Sequence, residues 1–103
     1  MRKAKILVNN IEAGVFSEIE PLKSYNFIYH DNYSGNPVSL TIPLREEPYY
    51  FDQFPPFFDG LLPEGYQLEA LLKLKKIDKN DLFSQLIATG GDLVGAVTVK
   101  EIK

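Results

Sequence analysis

The chain has 103 residues, 45% hydrophobic and 24% charged, proportions that argue against a disordered segment and suit one modest core. A net charge of −3 leaves no basic footprint for phosphate backbones, and with no Cys and a single His a conventional zinc centre has too few ligands. No stretch approaches bilayer length, so the expectation is a soluble, cytoplasmic protein of one domain, residues 1–103, that touches neither nucleic acid nor membrane directly.

Residues 4–8 and 11–17 flank Asn9-Asn10, and Asn tolerates the left-handed backbone of a two-residue turn, so the first element is a β-hairpin. Tyr25, Phe27 and Tyr29 alternate with Asn26, Ile28 and His30, which predicts a third strand with one better-buried face. After the turn cluster Ser34-Gly35-Asn36-Pro37, Leu40, Ile42 and Leu44 alternate with Ser39, Thr41 and Pro43, which predicts a fourth strand at an edge. The period then changes. Phe57, Phe58, Leu61 and Leu62 have helical spacing, Pro63 to Gly65 interrupt, and Leu68, Leu71 and Leu72 resume it. Lys73, Lys75 and Lys76 suit the C-terminal end of that second helix as solvated, dipole-compensating groups. Asp78 and Asp81 precede Leu82, Phe83, Leu86 and Ile87 in a capping-box-like start to a third helix, which Gly90 or Gly91 would end. Leu93, Val94, Ala96, Val97 and Val99 close the chain as a strand. The fold class is α+β: a small antiparallel sheet, open or curling toward a barrel, with three short helices packed on one side between residues 55 and 90. Strand order is left open.

Each chemically suggestive group has a plain structural account. His30-Asp31-Asn32 precedes a turn, where Asp and Asn serve the backbone. Gly90-Gly91-Asp92-Leu93-Val94-Gly95 follows a helix rather than preceding one and lacks the Lys-Ser/Thr of a phosphate loop. Glu46-Glu47 and the pair Glu18 and Glu20 read as solvated surface carboxylates. No nucleophile, base and orienting group assemble, so no enzyme, no catalytic residue and no cofactor are expected. Tyr66 differs. It follows a glycine at a helix start, where an amphipathic ring projects as a favoured interface anchor.

The order of features, Val8-Asn9-Asn10 with Gly14, Ser39-Leu40-Thr41-Ile42-Pro43-Leu44, Phe57-Phe58-Asp59-Gly60-Leu61-Leu62-Pro63-Glu64-Gly65 and Gly95-Ala96-Val97, resembles the N-terminal subdomain of the HipA family of bacterial toxin serine/threonine kinases over nearly the whole chain. In that family a larger kinase core follows, which holds the nucleotide- and metal-binding groups. This sequence stops at Glu101-Ile102-Lys103, before any such core. The resemblance therefore implies a HipS-like small subunit of a split system, an antitoxin for a separate HipA-like kinase, with a helix-turn-helix protein as third component. The expected docking face is Asp59, Gly60, Pro63, Glu64, Gly65, Tyr66 and Gln67, against the kinase N-lobe near its active cleft, with Tyr66 reaching into the opening. Two alternatives stand beside it: a scaffold or activating subunit that completes the kinase fold, and an autonomous binding module or small enzyme.

Overall fold

The computed structural model describes residues 1–91, 93 and 95–102. Strands β1 (Arg2–Val8) and β2 (Ile11–Glu20) form the expected hairpin, and Asn9 and Asn10 take φ of 52° and 67°, the left-handed pair that such a turn requires. Strand β3 (Ser24–Tyr29) and a short β4 (Tyr49–Phe51) continue the sheet on one side, and the C-terminal β5 (Val97–Ile102) pairs with β1 on the other. The order β4-β3-β2-β1-β5 is antiparallel throughout, and the sheet is open, not closed into a barrel. Between β4 and β5 lie helices α1 (Pro56–Asp59), α2 (Gly65–Lys75) and α3 (Leu82–Thr89).

Alternation decides which face is covered. Ala4, Ile6 and Val8 of β1, Phe16 of β2, Tyr25, Phe27 and Tyr29 of β3, and Val97 and Val99 of β5 are all buried, and the core joins them to Phe58 of α1 and to Phe83 and Leu86 of α3. Phe16 lies at its centre, with its ring 4.4 Å from Phe58, 5.5 Å from Phe83 and 5.7 Å from Tyr25. Offset aromatic contacts of this kind add about 0.5–1.5 kcal/mol each beyond the area they bury.

The fourth strand expected at Ser39–Leu44 is absent. Residues 39–42 instead form a β-turn, closed by the Ile42 amide donating to the Ser39 carbonyl at 3.0 Å and by a single isolated bridge between the same residues. The Ser39 hydroxyl accepts from the Thr41 amide at 3.1 Å and pairs with the Thr41 hydroxyl, so polar side chains placed between apolar ones satisfy a turn locally rather than a ladder. Tyr29 pins this turn from below: its buried hydroxyl donates to the Ile42 carbonyl and accepts from the Val38 amide at 3.0 Å. Tyr29→Phe leaves that buried amide without its partner and is expected to lower unfolding free energy by about 1–2 kcal/mol, measured by denaturant titration, with faster hydrogen exchange at Val38. A penalty near zero at both readouts would show that the hydroxyl does not hold the turn.

The third helix also departs from expectation. Its cap is Asp81, which accepts from the Ser84 amide at 3.2 Å, whereas Asp78 accepts from Asn80 and closes the preceding turn. Gly90 ends α3 at φ −56°, an ordinary helical value, so conformation is not what selects glycine there. Space is: a Cβ on Gly90 would stand 2.1 Å from the Val99 carbonyl oxygen, and the Gly90 carbonyl accepts from the Val99 amide at 3.0 Å. That contact ties α3 to the outer edge of β5 and occupies part of an otherwise free strand edge. The closing strand starts at Val97, later than expected; Leu93 is irregular, and Val94 and Asp92 lie outside the described residues.

Candidate partner-binding face

The block that opens at Phe54 builds a rigid entry into the helices. Pro55 caps α1 and Pro56 takes its first turn, where a missing amide costs nothing. The helix is only four residues long. The chain then tightens through Leu61 and Leu62, whose amides donate to Phe58 and Asp59 at 3.1 Å, before Pro63 stops it. Phe58 and Leu62 point into the core, while Phe57 and Leu61 are half-buried. Gly65 opens α2 at φ 58°, and a Cβ there would meet nothing within 4 Å; it is the left-handed backbone that requires glycine.

Helix α2 is unusual in burying none of its eleven residues. Leu68, Leu71 and Leu72, expected as its core stripe, are only half-buried, and Leu74 is 80% exposed. The last-turn lysines Lys73 and Lys75 are exposed, as expected of solvated groups, and Lys76 ends the helix in the left-handed conformation at φ 55°. Tyr66 is 90% exposed in the first turn of α2. Apolar surface remains on both flanks of the helix.

The seven residues marked in the sequence divide between these flanks. Gly60, Pro63 and Gln67 line a cleft of about 690 Å³ whose walls are completed by Leu61, Leu62, Ala70, Leu71, Leu74, Thr89 and Leu93. Tyr66 lies on the opposite flank with Glu69, Ala70, Leu72 and Lys73, beside a shallower hollow of about 470 Å³. Asp59, Glu64 and Gly65 are exposed at the turn between them and line neither hollow. Leu71, Leu74, Thr89 and Leu93 had not been marked. The available signal was Leu72 and Leu74, two residues apart and thus on nearly opposite sides of one helix, a spread that one contact cannot bury.

The carboxylates divide as well. Glu46 and Glu47 are exposed, as expected, but Glu18 is only 4% exposed and is the buried end of a partly buried clamp. Arg2 Nε and Nη2 donate to its two oxygens at 2.8 and 2.7 Å, in the bidentate geometry that suits guanidinium and carboxylate. The same guanidinium donates to Asp81 at 2.8 and 3.2 Å and to the Ser84 hydroxyl at 2.7 Å, and it lies 4.9 Å from the Phe83 ring centroid. All five Arg2 donors are thus engaged. Hydrogen bonds from Arg2 hold the Glu18 carboxyl below its ordinary value against the opposing push of desolvation. Burial pushes Asp81 upward, but hydrogen bonds from Arg2 and Ser84 outweigh it and leave that carboxyl lowered too. The hydrogen bonds that Arg2 donates to Glu18 and then to Asp81 raise Arg2. Each group is fixed in its charged form, which suits a structural tie between sheet and α3 and not proton transfer.

His30-Asp31-Asn32 forms a turn closed by the Tyr33 amide donating to the His30 carbonyl at 3.0 Å, and His30 Nε2 lies 2.5 Å from Glu12. Among the described residues no three His, Asp or Glu side chains gather as metal ligands would, and no helix is long and apolar enough to cross a membrane.

Comparison with known proteins decides the family. The model of the HipA N-terminal domain matches residues 4–100. The chain belongs to the HipA N-terminal domain family. A solved structure described as the N-terminal domain of HipA toxin superimposes with a TM-score of 0.78 at 28% identity, covering 100% of this chain and 94% of that one. An uncharacterized protein of Haemophilus influenzae is 30% identical over 103 residues, 95% of its own length. A putative kinase of Sinorhizobium fredii is 32% identical over 74 residues, 72% of this chain but only 18% of that protein. In this HipA-type fold, two of the segments that carry the family resemblance occupy different places: Phe57–Gly65 builds the α1–α2 connection, and Ser39–Leu44 contains the turn that Tyr29 pins.

Proposed function

We propose that this chain is a HipS-like antitoxin subunit, a single domain that binds a separate HipA-like serine/threonine kinase in the cytoplasm and inhibits it by occupancy. The observation that carries the reading is the double occurrence of the unit: nearly the whole of one relative, and under a fifth of another that is described as a kinase. A surface that packs against a kinase within one chain keeps its complementary patch when it is a separate subunit, and splitting makes the contact dissociable. A specific interface needs about 800 Å² per partner, which is a modest share of the 6719 Å² this chain exposes.

The face from Asp59 to Gln67 docks on the kinase N-lobe near the active cleft, and Tyr66 enters the opening. A phenol held there resists the lobe closure that positions ATP, metal and substrate hydroxyl for phosphoryl transfer. A helix-turn-helix protein completes the assembly on DNA. The embedding of this unit in the Sinorhizobium protein also favours a second reading, in which the chain completes the kinase fold and supports its activity.

The test is binding and autophosphorylation of each HipA-like kinase of the source organism, with and without this chain. Inhibition is expected, with micromolar or tighter affinity. A rise in activity on addition would instead establish the scaffold role, and failure to bind any such kinase would end both readings. Tyr66→Ala is expected to weaken binding roughly thirtyfold, about 2 kcal/mol, with the unfolding midpoint unchanged because Tyr66 touches solvent on nearly all sides. Undiminished neutralisation by that variant would remove Tyr66 from the mechanism.

A further inference from the structure

Helix α2 stands off the body of the protein. Gln67, Ala70, Leu71 and Leu74 form one wall of the 690 Å³ cleft, and Leu61, Leu62, Thr89 and Leu93 form the facing wall. Both walls are mainly apolar, yet Leu74 is 80% exposed across the gap. Apolar surfaces that face each other across water gain about 25 cal/mol for each Å² they remove from solvent, so such a cleft favours an apolar occupant. Its volume lies within the roughly 300–1,000 Å³ range of binding pockets, room for several side chains rather than one.

We infer that this cleft seats an apolar segment of the HipA-like kinase flanked by acidic residues, and that Leu74 is the anchor on this side of the contact. The inference rests on the kinase-binding reading and adds to it a second docking point, distinct from Tyr66 and on the other flank of α2. Three observations select the occupant. The cleft is continuous with the candidate face, since Gly60, Pro63 and Gln67 belong to both. In the Sinorhizobium relative the matched unit is 18% of the protein, which leaves most of a kinase chain available to cover it. Charge supplies the third: in a chain of net charge −3, the C-terminal end of α2, where Leu74 lies, carries exposed Lys73, Lys75 and Lys76, with Lys79 just beyond, so that end of the helix is locally basic and complements carboxylates, although no lysine lines the cleft itself.

The deciding experiment compares the wild type, Leu74→Glu and Leu74→Met for affinity toward the HipA-like kinase, for salt dependence, for thermal midpoint and for self-association by sedimentation. Expected is a loss of at least tenfold for Leu74→Glu, near-wild-type binding for Leu74→Met, weaker wild-type binding as salt rises, and midpoints that agree because Leu74 is outside the core. Wild-type binding that Leu74→Glu leaves intact overturns this inference and spares the proposed function. No binding by the wild type overturns both. A concentration-dependent dimer that Leu74→Glu abolishes while kinase affinity stays unchanged gives the cleft to a second copy of the chain, and overturns it as well.

Discussion

Replacing Arg2 by Ala is expected to lower the unfolding free energy at pH 7 by about 3 kcal/mol, one of the largest effects of any single change near the surface of this protein. The cost comes less from the lost attraction than from what remains: Glu18, 4% exposed, keeps its charge in a site that no longer solvates it. The Arg2 side is about one-third open to solvent, which screens part of the pairing and sets the figure at the low end for buried ion pairs. The same change frees Asp81 to act only as the α3 cap, so the sheet and helix lose their tie together.

The pH dependence separates this account from a simple loss of packing. Glu18 and Asp81 have folded-state values below their ordinary 4.5 and 3.8, so their contribution is full above that range and disappears as pH falls through the lowered values. Arg2 stays charged throughout. Wild-type stability should therefore hold from neutrality to about pH 5 and fall below about pH 4. Without Arg2, the Leu22 amide alone opposes desolvation at Glu18, whose value should rise, so acid relieves the variant by protonating the stranded carboxyl. The gap between wild type and Arg2→Ala should narrow markedly between pH 7 and pH 4 in denaturant titrations. An equal gap at both would mean that the guanidinium contributes bulk alone.

Much of the fold was legible because its signals are local. Asn9-Asn10 announces a left-handed turn, and the alternation of Tyr25, Phe27 and Tyr29 marks a one-sided strand, whatever the rest of the chain does. Ser39–Leu44 misled for the same reason. Its period of two is that of a strand, but Pro43 has no amide to give a ladder and the Ser39 and Thr41 hydroxyls already satisfy the backbone, so of the three apolar positions only Ile42 reaches the core, while Leu40 stands 96% exposed at the turn. The clamp was illegible: Arg2 meets partners 16 and 79 residues away, and no local pattern distinguishes Glu18 from the solvated Glu20 beside it. At the candidate site, the exposure of Tyr66 followed from the glycine before it, whereas the cleft depends on how far α2 stands from the body, a tertiary distance that helical periodicity does not contain.

Phe58→Ala is expected to cost about 4 kcal/mol, while Phe57→Ala, one residue away in the same short helix, should cost far less. Phe58 is fully buried, stacked 4.4 Å from Phe16 and within 6.3 Å of Phe27, so its removal opens a cavity at the centre of the sheet's covered face. Phe57 is half-buried beside it and gives up its contacts to solvent rather than to a void. A protein of this size has roughly 5–15 kcal/mol in total, so Phe58→Ala approaches the threshold of folding at physiological temperature. Because Phe58 is the buried side chain of α1, the entry to α2 loosens with it, and under the proposed function kinase binding should fail in proportion to the unfolded fraction. Tyr66→Ala should show the opposite pattern, with affinity lost and midpoint kept. Measuring denaturation and binding on all three variants distinguishes a face that binds because it is folded from one that binds through its own side chains. Equal stability losses for Phe57→Ala and Phe58→Ala would contradict the placement of Phe58 as the link between the core and the candidate face.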